Sequence, residues 1–226
     1  MVSEDVYYFL QAFFKSHPKY QNNPLFIVGE SYGGHYAPAV AHKVFTENKS
    51  VKDGLLHLNL SGLAVGNGST KPEIQYQSYP EMAYHNSHGI KVVNQSTYLQ
   101  MKKDAVPCAH LIHECNTDEG SLDSFVCQTA NAQCNKKLMG PYDATGLNPY
   151  DIRKKCGDHP LCYDFSNVEK WLNKDHTKQS LHVSKKANKW QTCNDVRRNL
   201  DFIFIFVVEY INTHLLVYIV MLSDII

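Results

Sequence analysis

Ser31 lies in a short pattern whose residue types suit an activated nucleophile. The stretch Gly29-Glu30-Ser31-Tyr32-Gly33 fits G-x-S-x-G, in which a strand turns sharply into a helix and the serine hydroxyl projects from the end of the sheet. Both glycines are predicted to be required, because a Cβ at either position would collide in so tight a turn. The Tyr32 amide would point towards the oxyanion that forms when the hydroxyl attacks a carbonyl carbon. The pattern therefore predicts a serine nucleophile for acyl chemistry.

The segments on either side of the serine have the composition that such a turn requires. Leu25 to Val28 is a short apolar run, typical of a strand that is buried on both faces. From Gly34 onwards, apolar residues recur at helical spacing: Ala37, Val40, Ala41, Val44 and Phe45. An apolar strand before the serine and a helix after it favour the catalytic interpretation over a glycine-rich turn without a chemical role.

The wider pattern predicts an α/β fold with parallel strands. Residues 3–15 have the apolar periodicity of a helix, which Pro18 ends. Leucines alternate with polar residues from Leu56 to Leu60, and the run that follows predicts a second strand ending near Val65. Residues 73–104 are predicted to be mainly helical. Helix, strand, helix and strand in this order are typical of a parallel sheet.

Six of the seven cysteines fall in one stretch of the chain. They are Cys108, Cys115, Cys127, Cys134, Cys156 and Cys162. The near-symmetric 7-12-7 spacing of the first four suits two nested disulfides, Cys108 with Cys134 and Cys115 with Cys127, and the last two would close a small loop. A zinc site is disfavoured because zinc ribbons use C-x2-C pairs, and unpaired thiols would be unusual in so tight a cluster. Disulfides indicate an oxidising compartment, which the glycosylation sequons at Asn48 and Asn94 also suit.

The composition argues against several kinds of partner. The 226 residues include 22 Lys and Arg and 22 Asp and Glu, so we expect neither nucleic acid nor a charged membrane surface to bind. A phosphate-binding loop of the G-x-x-x-x-G-K-[ST] type is absent and the histidines lack ligand-like spacing, so we expect no cofactor and no metal. His35 is interpreted as a packed, hydrogen-bonded structural residue, because the catalytic histidine of such folds comes last in the chain.

The last third of the chain contains two features that need a structural interpretation. Ser166 and Glu169 fit a capping box at the start of a helix. Phe202 to Leu222 is a mostly apolar stretch of 21 residues, which is long enough for a membrane span. Because polar groups, Glu209 among them, lie near its middle, we expect buried structure or an abnormal terminus rather than a membrane helix.

Long segments around the elbow resemble the serine carboxypeptidase family, and plant members in particular. The matching stretches are EDVYYFLQAFFKSHPKYQNNPLFIVGESYGGHYAPAVAHKV, NLSGLAVGNGSTKPEIQY and NPYDIRKKC with the following LCYDFSNVEKWLN. The resemblance, which runs from Glu4 to Asn199, implies a partial α/β-hydrolase fold. Residues 1–104 would form the N-terminal part of its core, residues 105–165 a cysteine-rich cap held by the disulfides, and residues 166–226 the return to the core with an atypical apolar end.

The resemblance also implies a role for each residue of the elbow. Ser31 would be the nucleophile and Tyr32 would supply an oxyanion amide. Glu30, between Gly29 and the serine, would bind the free C-terminal carboxylate of a peptide, in a protonated form that burial favours. Gly33 would complete the substrate-binding turn. The implied function is the release of C-terminal amino acids through an acyl-enzyme, and the alternatives are acyl transfer between small molecules or a catalytically inactive fragment or binding protein.

The chain departs from the family pattern towards both ends. A GDxD-like loop with the catalytic acid, a GHM motif with the histidine, and an upstream NGGPGCSS segment are missing from the 226 residues. The cysteine of that upstream segment would pair with the position of Cys193, which is otherwise left over. Residues near Met1 lack the features of a secretory signal peptide. We therefore expect an inactive fragment, whose full-length parent would be vacuolar, lysosomal or extracellular.

Overall fold

The computed structural model describes residues 2–117 and 125–192 as helices joined to two small sheets. The helices and strands, in chain order, are α1 Val2–Ser16, β1 Leu25–Glu30, α2 Gly33–Asn48, β2 Leu60–Gly66, α3 Pro72–Tyr84, α4 Gln95–Thr117, α5 Phe125–Cys134, α6 Gly140–Asp143, β3 Leu147–Asn148, β4 Asp151–Lys155, α7 Ser166–Leu172 and α8 Asp175–Ser180. Short 3-10 turns lie at Pro18–Tyr20 and Pro160–Cys162, and a π-helical turn at Asn135–Met139 follows α5. The described residues divide into two compact units, residues 2–75 and 76–192.

The first unit contains the predicted parallel strand pair. In β1 and β2, Phe26 lies opposite Gly62 and Glu30 lies opposite Gly66. Parallel strands need a crossover connection, and α2 lies within it. The predicted order of helix, strand, helix and strand is therefore confirmed, with β2 ending one residue beyond Val65.

The core of this unit lies between the two helices and one face of the sheet. Its buried residues form two clusters, Tyr7, Phe14, Val40, Val44 and Leu58 in one and Ala37, Ala41 and Leu63 in the other. The opposite face is open: Phe26 is 62% exposed and Val28 is 72% exposed. The prediction that this strand is buried on both faces is therefore wrong for the described residues, because α1 and α2 cover one face only.

The alternating leucines before β2 form no strand over residues 56–59, contrary to the predicted pattern. Two side-chain amides take the place of a neighbouring strand there. Gln11 of α1 accepts from the Leu56 N–H at 2.7 Å and donates to the Leu56 carbonyl at 2.8 Å. Asn48 of α2 accepts from the Leu58 N–H at 3.0 Å and donates to its carbonyl at 2.7 Å. Leu56 and Leu58 are thus held by helix side chains rather than by a neighbouring strand.

Replacing Asn48 by alanine is expected to lower the free energy of unfolding by about 1–3 kcal/mol. The Leu58 N–H would lose its acceptor while the residue remains buried, being only 1% exposed. Urea denaturation followed by circular dichroism measures the change. Asn59→Ala is the matched control, because the Asn59 amide makes only an exposed bond to the Asn22 carbonyl. Equal effects of the two substitutions would contradict the role given to Asn48.

Helices α4 and α5 of the second unit are joined by the two nested disulfides. Cys108 is bonded to Cys134 and Cys115 to Cys127, with Cα–Cα distances of 5.4 and 4.8 Å, and the third bridge joins Cys156 to Cys162 at 4.6 Å. These are the pairs that the spacing predicts, and their Cα separations are ordinary for disulfides. Cys193 lies outside the described residues. Helix α4 continues through residues 104 and 105. The domain boundary between these residues stays a prediction.

Glu81 connects α3 to α4 through a cluster of polar contacts. Its carboxylate lies 2.7 Å from the Lys102 ammonium, 2.8 Å from His85 Nδ1 and 2.8 Å from the Tyr98 hydroxyl, which donates to it. The Lys102 contact first, then the bonds from His85 and Tyr98, lower the pKa of Glu81 from 4.5 to about 2. The ionised carboxylate is therefore the form that the folded unit stabilises.

We expect this cluster to make the stability fall as the pH drops from 4.5 to about 2. A carboxylate whose pKa is lower in the folded state stabilises the fold above the unfolded pKa, and the benefit is lost on protonation. Glu81→Gln should therefore be less stable at neutral pH and show a shallower decline over this range. Glu114→Gln, at an exposed site on α4, is the control. Parallel acid-unfolding curves for Glu81→Gln and the unsubstituted chain would contradict this expectation.

The capping box predicted at Ser166 and Glu169 is wrong. Ser166 is the first residue of α7, and its N–H donates to the Asp164 carboxylate at 2.9 Å. Glu169 instead accepts from the N–H and the hydroxyl of Thr192, at 3.1 and 2.7 Å. An acceptor (Asp164) and a donor (Thr192) from outside the helix have replaced the reciprocal pair. In residues 2–117 and 125–192, no helix is long and apolar enough to span a membrane, and the apolar stretch Phe202 to Leu222 lies outside these ranges.

Candidate active site

Ser31 occupies a sharp turn between a strand and a helix. Strand β1 ends at Glu30, α2 begins at Gly33, and Tyr32 is the N-cap residue between them. Ser31 has a φ of +55°, a left-handed conformation that is unfavourable for a residue with a Cβ. The predicted elbow with a strained serine is therefore confirmed. Such strain persists only where the surrounding structure enforces it.

Three backbone hydrogen bonds hold Ser31 in this conformation. Its N–H donates to the Gly66 carbonyl at 3.1 Å, which continues the pairing of β1 with β2. Its carbonyl accepts from the Gly34 N–H at 2.9 Å and from the Ser69 N–H at 3.0 Å. The elbow is thus fixed by the sheet, by the first turn of α2 and by the loop that follows β2.

The loop after β2 is itself held by the side chain of Gln75. The Gln75 amide donates to the Gly68 carbonyl at 2.7 Å, and its oxygen accepts from the N–H groups of Thr70 at 2.8 Å and Lys71 at 3.2 Å. Asn67 in the same loop has a φ of +42°. Gln75 was missed as a site-supporting residue, because its sequence position carries no motif and only the fold brings its amide to the loop.

The glycines in and beside the elbow differ in how much space a Cβ atom would have at each position. A Cβ on Gly29 would lie 2.6 Å from the Gly33 carbonyl oxygen and 2.9 Å from the Ala37 Cβ, so the predicted need for glycine at residue 29 is confirmed. A Cβ on Gly33 would meet nothing within 4 Å, so the predicted collision there is wrong. The crowded position is the next one: a Cβ on Gly34 would lie 2.7 Å from the Ser69 carbonyl oxygen. Gly34 faces the loop after β2, whereas Gly33 does not.

Gly34→Ala is expected to destabilise the fold by about 1–3 kcal/mol, because the new methyl group would press against backbone atoms. Gly33→Ala, the neighbouring control, should be neutral or stabilising by up to about 1 kcal/mol, since glycine disfavours helices. Thermal unfolding of the two variants measures the difference. A Gly34→Ala variant as stable as Gly33→Ala would show that the loop after β2 does not restrain the elbow.

Glu30 and Ser31 are both exposed in the described residues. The alternation of β1 places Glu30 on the same face as Phe26 and Val28, which α1 and α2 do not cover. The expected burial of Glu30 is therefore not found in the part of the chain that the structure describes. Glu30 directly precedes Ser31 in the elbow, and its side chain is exposed.

Aromatic rings surround the start of α2. Tyr32 contacts His35 and Tyr36 edge-on, with ring centroids 4.6 and 4.9 Å apart. Burial lowers the pKa of His35, so its neutral form is favoured. This packing agrees with the interpretation of His35 as a structural residue. The Tyr32 backbone lies at the N-terminal end of α2, where the helix dipole favours negative charge.

The elbow brings Gly29, Glu30, Ser31 and Tyr32 together, and a developing oxyanion beside the Tyr32 amide would lie at the positive end of a helix. Within the described ranges, no group of three or more His, Cys, Asp or Glu could hold a metal ion.

Residues 1–218 match the serine carboxypeptidase family. The chain belongs to this family. Among serine carboxypeptidases it is 44% identical over 185 residues to Serine carboxypeptidase-like 47 of Arabidopsis thaliana, a match covering 80% of this chain and 34% of the relative. It is 40% identical over 183 residues to Serine carboxypeptidase 3 of rice, Oryza sativa subsp. japonica, with the same coverage of both chains. The chain thus spans about a third of the length of these relatives.

Two more distant similarities concern a fungal relative and a solved structure, and the second of them bears on the fold alone. Carboxypeptidase Y homolog A of the fungus Trichophyton verrucosum is 36% identical over 203 residues, covering 89% of this chain and 35% of the relative. A crystal structure of Kex1(delta)p, a prohormone-processing carboxypeptidase from Saccharomyces cerevisiae, superposes with a TM-score of 0.64 at 24% identity. That match covers 90% of this chain and 44% of the yeast chain. The likeness shows a partial α/β-hydrolase fold, as the sequence predicts.

Proposed function

We propose that this chain is part of a serine-type carboxypeptidase that releases C-terminal amino acids from peptides through an acyl-enzyme. The observation that carries the proposal is the strained Ser31 between β1 and α2 in a member of the serine carboxypeptidase family. A serine forced to positive φ at the end of a strand has its hydroxyl exposed to an incoming carbonyl group.

In the proposed reaction, the Ser31 hydroxyl oxygen attacks the carbonyl carbon of the last peptide bond and gives its proton to a general base. The oxyanion of the tetrahedral intermediate is stabilised by the Tyr32 amide at the start of α2. The C–N bond then breaks, the leaving amino acid takes the proton, and water hydrolyses the acyl-enzyme by the reverse path. A histidine base and the carboxylate that orients it are required, and parts of the full protein outside the described residues would supply both.

Glu30 is proposed to recognise the free carboxylate at the end of the peptide. It directly precedes Ser31 and is exposed, so a ligand bound to it would have its last peptide bond near the nucleophile. Two carboxyl groups can share a hydrogen bond only when one of them carries the proton. Recognition of this kind would favour acidic conditions and would exclude peptides whose C-terminus is amidated.

Three disulfides support passage of the full protein through an oxidising compartment. We propose a vacuolar, lysosomal or extracellular location on this ground. We also propose that residues 105–165, which contain all three bridges, are a cap insertion and that residues 166–226 return to the core.

The test is to complete the chain with the rest of a relative. In the completed chain, residues 2–192 replace the matching segment of the rice Serine carboxypeptidase 3. We expect this protein to release the last amino acid from N-blocked dipeptides, and to leave the C-terminally amidated forms intact. The 226-residue chain alone is expected to show trace turnover at most. Equal cleavage of the amidated dipeptides, or acyl transfer to small alcohols in preference to hydrolysis, would overturn the proposal.

A further inference from the structure

The chain contains four glycosylation sequons, which begin at Asn48, Asn59, Asn67 and Asn94. Two of them, Asn48-Lys49-Ser50 and Asn94-Gln95-Ser96, have asparagines whose side-chain amides are bonded in opposite ways. We propose that Asn94 carries an N-linked oligosaccharide in the folded protein and that Asn48 does not. The proposal rests on the secretory route proposed above, because the transferase that attaches such glycans works in the lumen of that route.

The amide of Asn48 is fully committed to the backbone of Leu58. Its oxygen accepts from the Leu58 N–H at 3.0 Å and its nitrogen donates to the Leu58 carbonyl at 2.7 Å. Because both hydrogen bonds go to Leu58, the hydrogen that Asn48 donates must be the Nδ2 hydrogen on the same side of the side-chain amide as Oδ1. An N-linked sugar would replace this same hydrogen. The linkage is a trans amide, in which the sugar carbon lies on the same side of the Cγ–Nδ2 bond as Oδ1. The sugar and the bond to the Leu58 carbonyl therefore exclude each other.

Asn94 presents the reverse arrangement. It directly precedes α4, and only its oxygen is used: Oδ1 accepts from the Thr97 N–H at 2.9 Å and from the Ser96 hydroxyl at 2.7 Å. This is the geometry of a helix N-cap, which uses the side-chain oxygen and does not require the side-chain nitrogen. Asn94 is exposed, so a sugar attached to Nδ2 would extend into solvent. The cap and the glycan are therefore compatible.

Glycans are attached while the chain is still unfolded, so both asparagines are available at first. Folding then distinguishes the chains according to which asparagine carries the glycan. A chain modified at Asn48 cannot close the Leu58 bonds and remains partly unfolded, whereas a chain modified at Asn94 folds with its cap intact. The prediction therefore concerns the folded, protease-resistant fraction of the secreted protein.

The experiment expresses the 226-residue chain behind a cleavable secretory leader in eukaryotic cells. An added C-terminal Asn-Ala-Thr tag reports arrival in the lumen by its own glycan. Two substitutions are matched. Asn94→Asp removes the acceptor nitrogen but keeps a good N-cap. Ser50→Ala removes the first sequon without touching the Asn48 amide, and Ser50 is exposed. Peptide mass mapping after enzymatic release of the glycans shows which asparagines were occupied.

In the protease-resistant fraction we expect a glycan at Asn94 and none at Asn48 in the unsubstituted chain and in Ser50→Ala, and a glycan at neither position in Asn94→Asp. A glycan found at Asn48 in that fraction, or an unmodified Asn94 in tag-glycosylated protein, overturns the proposal. The readout needs no peptidase activity. A completed chain that is glycosylated at Asn94 but does not cleave blocked dipeptides would defeat the proposed function and leave this inference standing.

Discussion

Replacing Ser31 by alanine in the completed chain is expected to lower the turnover of blocked dipeptides by about a million-fold. Alanine removes the hydroxyl oxygen that would form the acyl-enzyme, and the reaction then depends on direct attack by water on the bound substrate. The Tyr32 amide and Glu30 would still bind the substrate. Substrate affinity should therefore change little while turnover collapses, a combination that separates loss of chemistry from loss of binding.

The matched control for this substitution is Ser61→Ala. Ser61 lies on β2, is exposed, and bonds only to the Asn59 carbonyl through its hydroxyl. Its replacement should leave turnover unchanged within about twofold, since exposed substitutions rarely exceed 0.5 kcal/mol. Circular dichroism of both variants would show that each is folded. A folded Ser31→Ala protein that retains a tenth or more of the turnover would remove Ser31 from the mechanism.

Removing the outer disulfide is expected to have the largest effect on stability. Cys108 and Cys134 are 26 residues apart, against 6 for Cys156 and Cys162. Because the entropy that a bridge removes from the unfolded chain grows with the loop that it closes, the double alanine variant of the outer pair should lose about 3 kcal/mol. The small loop should account for about 2 kcal/mol. The inner bridge from Cys115 to Cys127 already shortens the outer loop, which keeps the difference modest.

Urea unfolding of the two double variants tests this order directly. The variant lacking the outer bridge should unfold at the lower denaturant concentration, with the slope of the transition raised as its unfolded state expands. Under reducing conditions the two proteins should become equally stable, because every bridge is then open. Greater loss from the Cys156 and Cys162 pair would show that a local contact, rather than loop closure, dominates the stabilisation.

The features that sequence patterns predicted well are those set by neighbours along the chain. The elbow follows from an apolar strand, a serine between glycines and a helical stripe within about 20 residues, and the structure has all of them. The core stripe of α2 and the disulfide pairs were also predictable, because periodicity and cysteine spacing are local properties.

The predictions that failed depended on partners distant in the chain. Leu56 reads as a strand residue, but its backbone groups bond to Gln11, 45 positions away. The sequence pattern predicts a collision for a Cβ on Gly33, but the loop at Ser69 packs against Gly34 instead. Glu30 was expected to be buried, and the described residues leave its face of β1 open. No local sequence pattern indicates which distant segment of the chain will pack against a given face of a strand or helix.

Labelling of the completed chain with a fluorophosphonate reagent tests the role of Ser31 most directly. The reagent forms a covalent bond with an activated serine oxygen, and peptide mass mapping locates the adduct. We predict a single adduct on Ser31, formed in step with the loss of dipeptide hydrolysis, and no adduct on Ser61 or in the Ser31→Ala variant. Complete inactivation with Ser31 unmodified, or an adduct on another serine, would contradict the assignment of Ser31 as the nucleophile.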